Sequence, residues 1–249
     1  MKNSIRRGAA GLIAALALGG LAGCGGNGAA TSSSGGGSGA ASSAAQKAST
    51  ASFPFKKGTV DAKDFVTRMG AAQKKLKSYH SEGTVVATIE GRAVTVKVTG
   101  DTDQSDPDKP MTHSTMTGAG QNMETVSDGS RTWVKTGGKW VASDSAQNSG
   151  FNQAMALSQL ADAATSAEYK GKESGGHHFV LQLDGAKMAG SSGSSASASA
   201  SGTVPADYWT NDDLAPVRTR MAITSSGNKT TIDMTMSKFD EPVTIPEVS

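Results

Sequence analysis

Thr84-Val85-Val86-Ala87-Thr88-Ile89-Glu90-Gly91-Arg92-Ala93-Val94-Thr95-Val96-Lys97-Val98 is the stretch that decides the architecture. Val85, Ala87 and Ile89 alternate with polar or small residues, and Val94, Val96 and Val98 alternate with Thr95 and Lys97. Period-two alternation is the mark of a strand with one buried face, and Glu90-Gly91-Arg92 between the two runs supplies a turn, so the stretch is a hairpin. Downstream, Asp106-Pro107-Asp108-Lys109-Pro110 marks a loop, and Met111 to Thr117 and Met123 to Ser127 are Thr-rich strand candidates. Asp128-Gly129 and Gly137-Gly138 are tight-turn signals around Thr132-Trp133-Val134 and before Trp140-Val141. Alternation returns in Phe179, Leu181 and Leu183, in Val217, Met221 and Ile223, and in Ile232, Met234 and Met236, with Ser226-Gly227-Asn228 turning the last pair.

Upstream of the hairpin the period is helical. Ala62, Phe65, Val66, Met69, Ala72 and Leu76 recur at helical spacing behind Asp61, with Lys74, Lys75 and Lys77 near the end. Phe151 to about Ala164 is a second helix candidate, dominated by small residues. Helix, strands, helix, strands joined by hairpin-length connections is an α+β order and favours an antiparallel sheet. One domain over residues 53–249 accounts for it, interrupted by a Ser/Ala-rich segment at 189–203 expected to be a solvated loop.

The N-terminal part has a different character. Residues 1–23 carry Lys2, Arg6 and Arg7, an apolar run from Ala9 to Leu18, and small residues up to Cys24, the plan of an export signal. Leu21-Ala22-Gly23-Cys24 resembles a lipobox, which implies cleavage before Cys24 and lipid attachment to it. The apolar run is too short and too rich in glycine for a spanning helix of roughly 20 residues. The residues after Lys2-Asn3-Ser4-Ile5-Arg6-Arg7 lack the bulky apolar side chains of a twin-arginine signal, so the general export route is the better fit. Residues 24–52 are Gly, Ser, Ala and Thr with almost nothing to bury, a flexible tether with a random-coil reach of some tens of Å.

Composition bounds the chemistry. The 249 residues hold 24 Lys+Arg against 22 Asp+Glu, and loss of residues 1–23 removes three basic and no acidic residues. A near-neutral body argues against nucleic acid as a partner. The single Cys cannot form an internal disulfide, and four scattered His cannot build a Cys-rich zinc site. His177 and His178 are adjacent on a strand and point to opposite faces, so they cannot easily share an ion. No Gly-x-Ser-x-Gly elbow, His-Glu-x-x-His pair, Walker-type phosphate loop or dinucleotide fingerprint occurs. The expectation is a protein that is not an enzyme and uses neither cofactor nor metal. Trp133, Trp140, Tyr208 and Trp209 could form a ligand platform, but core or rim packing is the simpler setting. Leu, Ile, Val and Phe together make up 37 residues, a low share for a globular chain, whereas Met111, Met116, Met123, Met221, Met234 and Met236 sit in candidate strands. Met adapts to irregular apolar surfaces and greasy ligands, so either a loosely filled interior or a small solid core fits this composition.

Three segments, taken in order, resemble a known family: Glu168-Tyr169-Lys170-Gly171-Lys172-Glu173-Ser174-Gly175-Gly176-His177-His178-Phe179, Tyr208-Trp209-Thr210-Asn211-Asp212-Asp213-Leu214-Ala215-Pro216-Val217-Arg218, and Phe239-Asp240-Glu241-Pro242-Val243-Thr244-Ile245-Pro246. With the helix leading into Ser78-Tyr79-His80-Ser81, they are similar to the actinobacterial LppX/LprG-type lipoproteins, related in fold to LolA, over roughly residues 61–246. The resemblance implies a strongly curved antiparallel sheet, a half-barrel, wrapped around helices and enclosing an apolar cavity that carries acylated lipids between the membrane and the outer envelope. The Ser/Ala-rich insertion and Ala215, which splits the Leu-Pro pair, depart from the family pattern. The expected lining is the apolar phase of the strands: Val85, Ala87, Ile89, Val94, Val96, Val98, Phe179, Leu181, Leu183, Val217, Met221, Ile223, Ile232, Met234 and Met236. Expected partners are the membrane, through lipidated Cys24 on the outer face of the cell membrane, a lipid or acyl-chain ligand, and an envelope protein in the alternative reading of a non-catalytic sensing or interaction module without cargo.

Overall fold

The computed structural model describes residues 53–89, 91–118, 120–143, 160–191, 202–225 and 228–248. Strand β1 (Gly58–Val60) leads into helix α1 (Ala62–Gln73). The hairpin follows as β2 (Ser78–Ile89) and β3 (Arg92–Asp103), then β4 (Met111–Gly118), β5 (Gln121–Ser127), β6 (Thr132–Thr136) and β7 (Lys139–Ser143). Strands β8 (Ala164–Glu173) and β9 (Gly176–Asp184), the short helix α2 (Gly185–Ser191), and β10 (Thr203–Thr210), β11 (Pro216–Ser225) and β12 (Asn228–Ser237) complete the order. The twelve strands form one open sheet in the order β1-β8-β9-β10-β11-β12-β2-β3-β4-β5-β6-β7, antiparallel throughout and curved.

Local chemistry explains the elements. Asp61 caps α1 by accepting a hydrogen bond from the Asp64 N–H at 2.6 Å, and Arg68 pairs with Asp64 one turn earlier. The apolar stripe Ala62, Phe65, Val66 and Met69 is buried, as the spacing expects. Gly91 turns the β2–β3 hairpin at φ +76°, and Gly137 and Gly138 turn β6 into β7 with φ of +58° and +80°. Two successive positive φ values give a turn whose twist matches that of the strands it joins. Asp240 anchors the closing segment: its N–H donates to the Ser78 carbonyl and its Oδ1 accepts from the Lys77 N–H at 2.6 Å, 163 residues away in sequence.

The structure places three further segments. Of the second helix candidate, residues 151–159 lie outside the described residues, residues 160–163 are helical, and Ala164 already belongs to β8. Ala by itself favours helix, and pairing with Leu183 overrides that preference. The Ser/Ala-rich segment is not loop from end to end: α2 extends to Ser191 and β10 begins at Thr203, while residues 192–201 lie outside the described residues. Asp184 starts α2 by accepting from the Ala186 N–H at 2.9 Å, and partly buried Met188 packs against the α1 core. Ala215, the departure from the Leu-Pro pattern, enters a turn held by Asn211. Asn211 Oδ1 accepts from the Asp213 and Ala215 N–H groups, and Leu214 takes a left-handed φ of +69° that puts its side chain into the core. Burial of the leucyl group, worth about 1.5–3 kcal/mol, offsets a backbone cost of about 1–2 kcal/mol.

Candidate functional site

Register places the alternating residues on a common face. One row crosses nine strands as Val60, Ala167, Leu181, Ala206, Met221, Ile232, Val85, Val96 and Gly118. Its neighbour crosses ten as Gly58, Tyr169, Phe179, Tyr208, Thr219, Met234, Gly83, Val98, Met116 and Met123. Leu183 pairs with Val204, Ile223 with Thr230, Thr230 with Ala87, and Ala87 with Val94 on the same side. Met236 pairs with Ser81, Ile89 with Arg92, and Val217 shares the face of Thr219 and Met221 by alternation. Fourteen of the fifteen residues expected to line a ligand therefore occupy one face in register, and Ile89 is placed by its backbone pairing with Arg92 alone.

That face is divided. Helix α1 and the segment before it lie on the β8–β10 part, where the Phe65 ring stacks on Phe179 at 4.0 Å between centroids, Phe55 meets Phe179 edge-on at 5.4 Å, and Tyr169 stacks on Phe179 at 4.7 Å. Phe179, Leu181 and Leu183 are 0% exposed. These three are the bed of α1 rather than an open lining, and the placing of them in a ligand surface is corrected by the helix that covers them. Met221 and Ile223 sit at the margin of the same cluster.

The other part forms a second cluster from Val85, Val96, Val98 and Met116, with half-buried Met123, Ile232 and Met234 packed against it. Among the described residues, the helices pack chiefly on β8 and β9, leaving this cluster without a helical lid. Gly83 lets the strands carry it: a Cβ at that position would lie 2.5 Å from the Met234 sulfur and 2.2 Å from the Asp233 carbonyl oxygen, so the Met234 thioether uses the space that a side chain at Gly83 would take. Beyond Val98 and Met116 the same face turns polar. Ser81, Thr102, Ser114 and Thr125 are buried hydroxyls, and Ser114 Oγ lies 2.8 Å from Thr125 Oγ1. Met116 and Met123 were singled out among the strand methionines but left out of the expected lining, although the Thr-rich alternation of β4 and β5 carried the signal.

The opposite face is polar. Arg218 donates two hydrogen bonds to Asp233, at 2.9 and 2.7 Å, and this guanidinium holds the Asp233 carboxyl below its ordinary pKa. Arg218 also lies 5.2 Å from the Trp209 ring, which stacks on His178 at 4.5 Å. The four aromatics are not brought together. Tyr208 is buried under α1, where desolvation pushes its hydroxyl pKa up, Trp209 belongs to the ion-pair stack, and Trp133 and Trp140 lie on β6 and β7. His177 sits between the Tyr169 hydroxyl and Asp212, with Phe53 stacked on it at 3.5 Å, whereas His178 faces Glu173 and Asp207 from the other side. His80 and His113 are half-buried strand residues held by Asp101 and Glu124. Among the described residues no cluster of His, Cys, Asp and Glu could hold a metal ion, and no helix is long and apolar enough to cross a membrane. An open cleft of about 510 Å³ lies between the tail residues Ile245–Val248 and Asp103 and Met111, which alternation turns away from the apolar face.

The family description for the LppX_LprAFG lipoproteins matches residues 61–245. The chain belongs to this lipoprotein family. The LppX_LprAFG match runs from the N-cap of α1 to the tail that Asp240 ties to β2. Two solved structures share the fold. LprF from Mycobacterium bovis is 17% identical, with 77% of this chain and 99% of that chain covered at a TM-score of 0.52. Lipoprotein LppX from Mycobacterium tuberculosis is also 17% identical, covering 74% and 98% at a TM-score of 0.52. No curated protein is similar enough to the chain to count as a match.

Proposed function

We propose that the chain is a membrane-anchored envelope lipoprotein that binds lipid acyl chains on the uncovered apolar face and carries them between the membrane and the outer envelope. The observation that carries this reading is the cluster of Val85, Val96, Val98, Met116, Met123, Ile232 and Met234, an apolar floor without a helical lid among the described residues. From Thr219 to Met123 the row crosses six strands, about 24 Å along the sheet at roughly 4.8 Å per strand. A bilayer leaflet, which one acyl chain spans, is about 15 Å of hydrocarbon, so the floor is long enough for a tail. At about 0.8 kcal/mol per methylene, a chain of ~15 methylenes supplies a gross ~12 kcal/mol. The buried hydroxyls of Ser81, Ser114 and Thr125 give the floor a polar end to orient a head group. No step of chemistry is required, so the carrier acts as a binding protein and not as an enzyme.

Anchoring follows from Cys24: cleavage after residue 23, acylation of the Cys and a tether over residues 24–52 hold the domain of residues 53–249 at the outer face of the cell membrane. Native mass spectrometry after mild extraction tests the cargo. Stoichiometric co-purifying lipid supports the carrier, and a protein that never acquires lipid ends it. Fractionation of the wild type against Cys24→Ser tests the anchor, the variant being expected to leave the membrane fraction. A second reading, an interaction module without cargo, draws on the self-filled half of the face, where Phe65 seals Phe179. It predicts a ligand-free domain that retains one envelope protein.

A further inference from the structure

We propose that the β6–β7 hairpin is a membrane-docking edge that lays Trp140 and Val141 onto an anionic lipid surface. Val141 is 53% exposed and is the exposed large hydrophobic residue among the described residues. It sits on β7, the terminal strand of the sheet, whose outer side has no strand partner among the described residues. Val141 pairs with Val134 and Trp140 with Lys135, so the two apolar side chains project from opposite faces of one edge strand. A flat protein partner would cover one of those faces. A lipid surface into which the edge dips covers both.

Charge points the same way. Residues 129–143 contain Arg131, Lys135 and Lys139 and no acid, and Asp144 follows them. The two acids ahead of the hairpin are engaged: Asp128 accepts from the Ser130 and Arg131 N–H groups at 2.9 and 2.7 Å, and Glu124 is held by Lys135 at 2.8 Å and His113 at 3.1 Å. Lys139 makes no ion pair among the described residues, while the Arg131 charge helps lower the Asp128 carboxyl pKa. The Lys135 ammonium lies 5.3 Å from the Trp140 ring, the pairing of indole and cation that suits the boundary between head groups and hydrocarbon. At the tip, a Cβ on Gly137 or Gly138 would meet nothing within 4 Å, so the hairpin ends in a thin edge free of neighbouring elements. The Val134–Val141 row continues through Thr125 and Ser114 into the apolar face, so docking here would set the rim of that face against the bilayer. The inference does not depend on cargo, because an empty domain would dock by the same edge.

The experiment uses the mature chain of residues 24–249 with Cys24→Ser, which removes the acyl anchor, and Trp209→Phe, which leaves Trp133 and Trp140 as the only indoles. It is mixed with vesicles of phosphatidylcholine alone or with added phosphatidylglycerol, whose acyl chains carry bromine as a quencher. Blue-shifted, quenched emission on the anionic vesicles, lost in Trp140→Phe, is the expected result. Each cation near such a surface is worth roughly fivefold in partitioning, so Lys139→Glu, a change of two charges, should weaken binding by about thirtyfold. Val141→Asp, at an exposed position that leaves the melting temperature unchanged, should also release the protein. Emission indifferent to vesicles overturns the proposal. So does equal quenching on uncharged vesicles, which would mark uptake of lipid rather than docking, and so does binding that both variants leave intact.

Discussion

Met234→Lys separates the open part of the apolar face from its packed part. Met234 lies on β12 opposite Gly83 and Thr219, is half-buried, and packs on the cluster of Val85, Val96, Val98 and Met116. Lys has nearly the same length and no branch, and the partial exposure of the site lets its ammonium reach water along the aliphatic stem. The folding cost is then about 1 kcal/mol or less, a fall of roughly 2–4 °C in melting temperature for a domain of this size. With an acyl chain laid over the floor the ammonium loses that water. The penalty for an unpaired ion is several kcal/mol. Against a gross ~12 kcal/mol from the chain, a loss of about 4 kcal/mol lowers retention by roughly three decades. Lipid per protein, measured by native mass spectrometry on material whose melting curve is checked in parallel, should fall from stoichiometric to undetectable, while Met234→Leu should keep its lipid. Wild-type occupancy in a folded Met234→Lys protein would refute the reasoning and remove the β12 floor from the binding surface.

Other outcomes follow from the same geometry. Phe65→Ala empties the space above Phe179 and should cost about 3–5 kcal/mol, read as a melting temperature lower by roughly 6–20 °C; a shift under 2 °C would show that α1 does not hold this core. Gly83→Val brings a branched side chain against the Asp233 carbonyl and the Met234 backbone, so denaturant unfolding should show a loss of about 1–3 kcal/mol or more, and a neutral result would contradict the close approach of β2 and β12. Asp233 has its carboxyl pKa depressed by Arg218, so the contribution is present above the unfolded pKa of about 4 and is lost as pH falls through the folded value. Wild type should exceed Asp233→Asn by about 0.2–1 kcal/mol near neutral pH, and the two should converge in acid; a gap that persists in acid would assign the difference to packing.

The hairpin of β2 and β3, the α1 stripe, the tight turns and the shared face of the apolar strand residues were legible because each is a local pattern. Alternation needs only neighbours two apart, and a helix stripe only neighbours three and four apart. Strand β1 and strand β8 were not legible: three residues carry no period, and in Ala167-Glu168-Tyr169-Lys170-Gly171 a single large side chain, Tyr169, stands between Ala and Gly on the buried face, so pairing with β9 and β1 makes the strand.

The sequence by itself determined that one side of an antiparallel sheet would be apolar and which residues it would show, since a side chain's face follows from its parity along the strand. It could not say which of those residues a helix would cover. Phe179 and Met234 read alike in the chain, yet one lies beneath Phe65 and the other on a floor without a lid among the described residues. That division was decided by the strand order alone, in which β1 joins β8 and thereby directs α1 onto β8–β10, while β12 joins β2 and leaves the methionines of β4, β5 and β12 at the far side. Pairings between segments a hundred or more residues apart are set by the summed packing of the whole sheet, and no local period encodes them.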